Sequence, residues 1–308
     1  MKRVIIGAVM VCLAATLWGL DGVVLTPRLF NLAVPFVVLL IHAIPFVLMQ
    51  PFLFPAYRQL ARLDKQGWLA LLLVAVTGGL LGTLAIVKAL FLVHFAELSV
   101  VILLQKLQPV FAIALAALLL KEQLTARFLA WAVVALSGAY LLTFGLAAPD
   151  VITGAVREAA LWAVVAAAAF GAATVFGKRL LSRLDFKAAT FGRFGLTALL
   201  AAVYMVVAGV PFAFPAVTAS EWLIIGIITL TTGSTAIFIY YWGLTRIKAS
   251  VSTICELCLP LSAIIFDWLV NGSVLHSWQW VGAAILVSAI LRVNMLQSAP
   301  AAENGAKT

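Results

Sequence analysis

Charge is scarce in this chain. Asp, Glu, Lys and Arg make up 10% of its 308 residues, where a water-soluble domain carries about 25%. With 65% hydrophobic residues and a mean hydropathy of +1.17, there is too little polar surface to cover such a core, and a soluble globular domain is excluded. Cysteine is nearly absent too: Cys12, Cys255 and Cys258 all stand inside apolar runs, so no disulfide framework is expected. Cys255 and Cys258 form a CxxC pair, but no second Cys or His pair completes a ligand set, and no metal or cofactor is expected. The sequence also lacks a glycine-rich phosphate loop, an HExxH, a GxSxG and any polar region large enough to hydrolyse ATP, which argues against an enzyme.

What the chain has is long apolar runs near 20 residues, apolar on all sides, the pattern of membrane-spanning helices. Barrel strands would instead alternate over about ten residues. Ten spans are expected, at roughly 4–26, 33–54, 67–90, 97–119, 127–147, 158–178, 187–209, 220–243, 248–270 and 276–294. The fold class is therefore an all-α polytopic membrane protein. The net charge of +9 comes from Lys and Arg standing singly between the runs, not from a clustered basic face, so nucleic acid is not an expected partner and membrane lipid is. With the N-terminus inside, fifteen Lys and Arg fall on the inner side, against Arg28 and Arg157 outside. Lys88, Lys106 and Arg193 are left within spans. That bias places both termini in the cytoplasm of an inner (plasma) membrane protein. The first run reads as a retained helix, since no small-residue cleavage site follows it.

The chain also repeats itself. The stretch ELSVVILLQKLQPVFAIALAALLLKEQLT, residues 97–125, returns when the sequence is shifted by 151 positions: Ser99 falls on Ser250, Gln105 on Glu256, Pro109 on Pro260 and Ala112 on Ala263. Trp18-Gly19 has its echo in Phe170-Gly171, and Gly79 in Gly233. Five spans is an odd number, so the second copy enters the membrane from the other side and the five-helix repeats are inverted. Inverted repeats are the architecture of many secondary transporters, with the substrate site near midplane between the halves. The expected units are residues 1–149 and 150–295, joined near Pro149, Asp150 and Gly154, followed by a disordered tail over 296–308.

Taken together, Trp18-Gly19, the LQPVFAIALAALLLKEQLT stretch, its echo LCLPLSAIIFDWLV and the ten spans in two halves resemble the drug/metabolite transporter superfamily, EamA type. Within it the chain is most similar to the YddG-like aromatic amino acid exporters. The resemblance implies alternating access and a small organic substrate, an amino acid or related metabolite. One departure is visible: the second half has Asn271-Gly272-Ser273 where the first has Lys121-Glu122-Gln123.

Candidate site residues are those a membrane tolerates least. Pro109 and Pro260 each remove a backbone donor and break a helix, freeing carbonyls that need a partner in protein or water. Glu256 is costly at mid-bilayer, by about 2.5–3.5 kcal/mol even on a lenient scale, so it binds substrate, carries a proton, or pairs with Lys106 or Gln105. Gln105 and Gln108 share a helix face. Trp18 with Asp21 offers an aromatic plate beside a carboxylate, and His42, Lys88 and Trp162 are further candidate substrate contacts. Each also has a plain reading: His42 as a packing residue, Lys88 as a snorkelling side chain, Trp162 and Trp18 as interfacial aromatics. Arg193, six residues from Lys187, is expected to reach back to the cytoplasmic surface. Tyr240, Tyr241 and Trp242 read as an interfacial aromatic belt. Gly79 and Gly233, with Gly78, Gly82 and Gly226, are expected at hinges or close helix contacts.

The reading that follows is a secondary transporter, with proton coupling as one possible energy source. An integral-membrane enzyme on a lipid-linked substrate and an accessory membrane subunit stay open as alternatives. The charge bias is directly testable: a reporter that fluoresces only in the cytoplasm, fused at either terminus, is expected to fluoresce, and silence at either end would overturn the assignment.

Overall fold

A computed structural model describes residues 2–92, 101, 104–146, 154–272 and 276–298. The described residues contain helices and no strands. Among the described residues nine helical segments are long and apolar enough to cross a membrane, from Lys2–Leu29 to Ser277–Gln297, and match nine of the expected spans to within a few residues. Of the expected fourth span, Gln108–Leu119 is a shorter apolar helix, while residues 97–100, 102 and 103 lie outside the described residues. The join near Pro149 and Asp150 lies outside them too. The last helix runs on to Ser298, beyond the expected start of the tail, and residues 299–308 are not among those described.

The elements are α1 (Lys2–Leu20), α2 (Val34–Leu53), α3 (Ala56–Ala61), α4 (Lys65–Val74), α5 (Gly82–Leu92), α6 (Gln108–Leu119), α7 (Ala126–Phe144), α8 (Gly154–Leu180), α9 (Phe186–Ala208), α10 (Ala219–Ile228), α11 (Ser234–Leu244), α12 (Ala249–Cys255), α13 (Cys258–Asn271) and α14 (Ser277–Ser298). Their ends are marked by ordinary capping chemistry. Asp64, Thr125 and Asp185 accept from the first-turn amides of α4, α7 and α9, and Thr218 with Glu221 forms a capping box on α10. Gly145, Gly209 and Gly272 end α7, α9 and α13 at positive φ, which side chains other than glycine rarely adopt. Outward faces carry large apolar residues such as Val47, Phe52 and Val207 at 63%, 81% and 81% exposure, a surface made for hydrocarbon rather than water.

Two features show that the halves are one plan used twice. First, α7 packs on its counterpart α14: a Cβ on Gly138 would press on Leu286, and one on Gly282 on Leu142. Four residues up one helix is four down the other, so equivalent helices run antiparallel and the repeats are inverted. Second, Gly19 of α1 fits against the Leu259 carbonyl and the Ala263 amide, and Gly171 of α8 against the Gln108 carbonyl and the Ala112 amide. Leu259 and Ala263 stand 151 positions after Gln108 and Ala112, so one contact occurs twice, at the two proline breaks.

The breaks are complete rather than mild kinks. Pro109 and Pro260 sit in the first turns of α6 and α13, and the chain crosses each break by short turns, Leu107 N to Leu104 O and Leu257 N to Ile254 O. The third and eighth spans are interrupted differently, by π-helical turns at Ala75–Leu81 and Thr229–Gly233, holding Gly79 and Gly233 at matching places. Such turns leave carbonyls short of their usual amide partners and mark hinges. At the ends on the N-terminal side, Arg183 bonds Asp64 and Gln66, and Gln59 donates to Asp185. The Arg183 guanidinium beside Asp64 holds that carboxyl below the usual carboxylate range.

The glycine contacts generate a stability test. A leucine at Gly19 or Gly171 has nowhere to go without moving backbone, and we expect each to cost about 1–3 kcal/mol, read as a lower midpoint of thermal unfolding in detergent. Gly226 meets nothing within 4 Å, contrary to its expected place at a helix contact, so Gly226→Ala is expected to leave the midpoint unchanged or slightly raised.

Candidate functional site

Breaking the ninth span between α12 and α13 leaves Glu256 in the turn, with its side chain free to point across the molecule. It points at the other broken helix. Gln108 Nε2, at the start of α6, donates to Glu256 Oε2 at 2.7 Å, which ties the two proline breaks together across the repeat. Tyr240 of α11 donates to Oε1 at 2.8 Å, and the hydroxyls of Ser252 and Thr174 reach the same oxygen at 3.2 Å. Four side chains from four helices thus present donors to one carboxyl group, and a carboxylate accepts at both oxygens. Trp18 of α1 completes the cluster, with its ring 5.3 Å from that of Tyr240.

Exposure separates these residues into two kinds. Glu256, Gln108 and Trp18 are half-buried, whereas Tyr240, Thr174 and Ser252 are buried at 4%, 3% and 0% exposure. The first three keep part of their surface uncovered. The buried hydroxyls hold the carboxyl in place behind them.

The other expected site residues are placed elsewhere. Asp21 opens the π-helical turn Asp21–Leu25 and faces Thr232. It therefore looks onto the same eighth span as Trp18 but at a different level, and its Oδ1 is buried without a hydrogen-bond partner. His42 bonds the Val38 carbonyl at 2.8 Å and lies against Phe194. Lys88 and Trp162 do meet: Lys88 Nζ lies 4.2 Å from the Trp162 ring and 3.5 Å from Glu158, which also accepts from Trp162 Nε1. That trio joins α5 to α8, away from Glu256. Gln105 lies just before the turn that leads into α6, and its side chain makes no hydrogen bond to another described residue. Glu256 does not pair with Lys106 or Gln105, because its turn aims it at Gln108.

Two expectations are overturned. Arg193 does not reach the surface: at 9% exposure it donates to the Tyr241 hydroxyl and the Gly78 carbonyl, each at 3.3 Å. Gly78 belongs to the π-helical turn, whose loosened backbone offers that carbonyl, and Thr197 packs on Gly79 one turn further along α9. Tyr240 and Tyr241 are not an interfacial belt either, since both are buried and engaged, and only Trp242 of the three keeps contact with the surface. The signal for Arg193 was in the repeat: 151 positions before it stands His42. Thr174, Ser252 and Tyr240 left no comparable signal, because single hydroxyls are common in membrane helices.

One further contact links the halves at the end nearest the N-terminus. Glu122, from the KEQLT stretch, accepts from the Ala249 and Ser250 amides at 2.7 and 3.1 Å and from the Ser250 hydroxyl at 2.5 Å. It caps α12 from the opposite repeat. Lys178 pins the preceding loop through the carbonyls of Leu244 and Ile247, at 2.6 and 2.7 Å.

The sequence profile of the EamA-like transporter family matches this chain twice, over residues 5–144 and 157–295. The chain belongs to that family. It is a multi-pass membrane transporter and not an enzyme, which also sets aside the accessory-subunit reading. A curated relative, riboflavin transporter ImpX of Fusobacterium nucleatum subsp. nucleatum, is 48% identical over 293 residues, covering 94% of this chain and 98% of the relative. A crystal structure of a protein 18% identical superposes with a TM-score of 0.74 over 95% of this chain and 97% of that one, a likeness of fold. Membership of a transporter family gives the half-open cluster around Glu256 its meaning as a candidate substrate site.

The cluster makes a test independent of transport. Tyr240→Phe removes one donor from a half-buried carboxyl group, and we expect a loss of about 1–3 kcal/mol in thermal unfolding. Tyr204→Phe, at an exposed position, is expected to change nothing.

Proposed function

We propose that this transporter carries riboflavin, or a flavin close to it, across the inner (plasma) membrane by alternating access, with Glu256, Gln108 and Trp18 in the substrate site. The relative at 48% identity over nearly the whole chain is the observation that carries this reading. It replaces the amino acid expected from the superfamily resemblance, which has no support among these findings. The chemistry of the cluster agrees with a flavin. A flat, uncharged ring system with carbonyl and imide edges and a polyhydroxylated side chain asks for an aromatic plate, hydrogen-bond partners of both kinds and no fixed counter-ion. Trp18 beside Tyr240, the Gln108 amide and the Glu256 carboxyl offer that combination. An amino acid would need its ammonium and carboxylate both paired, and among the described residues no Lys or Arg lies within ion-pair distance of Glu256.

Proton coupling fits the same site, since three of the four groups on Glu256 are hydroxyls, Tyr240, Thr174 and Ser252, which can turn from donor to acceptor when the carboxyl takes a proton. The two termini and the basic loops lie on the cytoplasmic side in this reading.

Purified protein in liposomes is expected to admit riboflavin, followed by flavin fluorescence, with saturation and with competition by excess unlabelled vitamin. Trp18→Ala and Gln108→Ala are each expected to slow uptake about ten-fold, the effect of losing about 1.4 kcal/mol of binding. Glu256→Gln is expected to abolish any dependence on an imposed pH gradient. Folded protein that moves labelled amino acids and ignores riboflavin would overturn the proposal.

A further inference from the structure

Two arginines at the N-terminal end of α1 stand together without a counter-charge. Arg3 and Arg246 line a recess of about 510 Å³ with Ile6 and Trp242. The Arg246 guanidinium lies 3.3 Å from the centre of the Trp242 ring and donates through Nη1 to the Trp242 carbonyl and the Thr245 hydroxyl, at 2.6 and 2.9 Å. Among the described residues neither arginine is ion-paired, and Arg3 is near enough for its charge to disfavour that of Arg246. The position is built rather than accidental: a Cβ on Gly7 would come within 2.7 Å of Arg246 Cβ and 3.0 Å of the Gly243 carbonyl, so both glycines let α11 and its arginine close onto α1.

The recess adjoins an apolar face, because Ile6 belongs to both. Below it α1 exposes Ile5, Ile6, Val9 and Leu13 at 46%, 36%, 53% and 45%, spaced so that they share one apolar face. We infer that this recess binds the headgroup of an acidic phospholipid from the leaflet at the N-terminal end of α1, its phosphate between Arg3 and Arg246 and its chains along Ile6, Val9 and Leu13. A phosphate diester supplies the missing negative charge, guanidinium forks match its oxygens, and an aromatic ring at headgroup depth is a common anchor. A soluble phosphate compound would satisfy the arginines but has no use for the apolar stripe, which sets the two sources apart. The inference does not depend on which substrate is carried.

The test uses the full chain in phosphatidylcholine vesicles with increasing phosphatidylglycerol, the latter brominated on its chains to quench nearby tryptophan. Quenching at Trp242, taken as the difference between the protein and its Trp242→Phe variant, is expected to saturate with phosphatidylglycerol and to be weak with brominated phosphatidylcholine. Arg3→Ala and Arg246→Ala are each expected to weaken the preference about five-fold, near what one basic side chain contributes at an anionic surface. Arg3 is exposed at the start of its helix, so its variant keeps the test open if Arg246→Ala fails to fold. Equal quenching by both lipids, or a preference that survives both substitutions, would overturn the proposal, as would displacement of the lipid by millimolar inorganic phosphate or glycerol phosphate.

Discussion

Hydrocarbon cannot bond to a peptide group, so every break in a membrane helix has to be made good by another part of the protein. This chain breaks two helices at proline and loosens three more into π-helical turns, and much of its interior follows from repairing them. Gly19 and Gly171 exist at helix contacts because a bare backbone is the only thing that fits against the turns at Pro260 and Pro109. Arg193 is buried because the carbonyl of Gly78 needs a donor. Even the Glu256 cluster belongs to this account: the broken turn that exposes its backbone also swings its carboxyl group toward Gln108 in the opposite break.

The polar groups inside the molecule divide by what they answer to. Arg193, Lys178 and Glu122 answer to backbone, closing gaps left by loosened turns or uncapped helix ends. Glu256, Gln108 and Trp18 gather instead around side chains, and for that reason they are the ones proposed to meet substrate. Lys88, Trp162 and Glu158 form a third kind, a half-exposed trio between α5 and α8. A hydrophobic chain with few charges therefore does not spend them at random. Nearly every buried one has a structural debt to settle before it can have a chemical role.

How far the sequence could be read depended on which forces act locally. Span positions, the inverted repeat and the proline breaks were legible, because length, apolarity and a missing amide are properties of short stretches. Glu256, Gln108 and Trp18 could be singled out as candidates too, since a carboxylate or an amide in mid-span has few bland explanations. Their partners were hidden. Tyr240 sits in a Tyr-Tyr-Trp run at the end of a span, and only the packing of α11 on α1 and α8 decides that Tyr240 turns inward while Trp242 stays at the surface. Arg193 misled for a similar reason: proximity to a loop suggests a route to water, and nothing in its neighbours says that a π-helical turn will sit across from it. The substrate class was not legible from these residues at all, because an aromatic plate with a carboxyl group suits many small molecules.

The cap that Glu122 places on α12 has no counterpart of the same chemistry in the second half, where Ser273 stands 151 positions on. The two mouths of a machine built from one repeated plan are thereby made unequal. One is fastened by a carboxylate with three donors, and the other carries Ser273 in its place. Duplication supplies two equivalent ends, and a single unmatched glutamate makes one of them chemically distinct from the other.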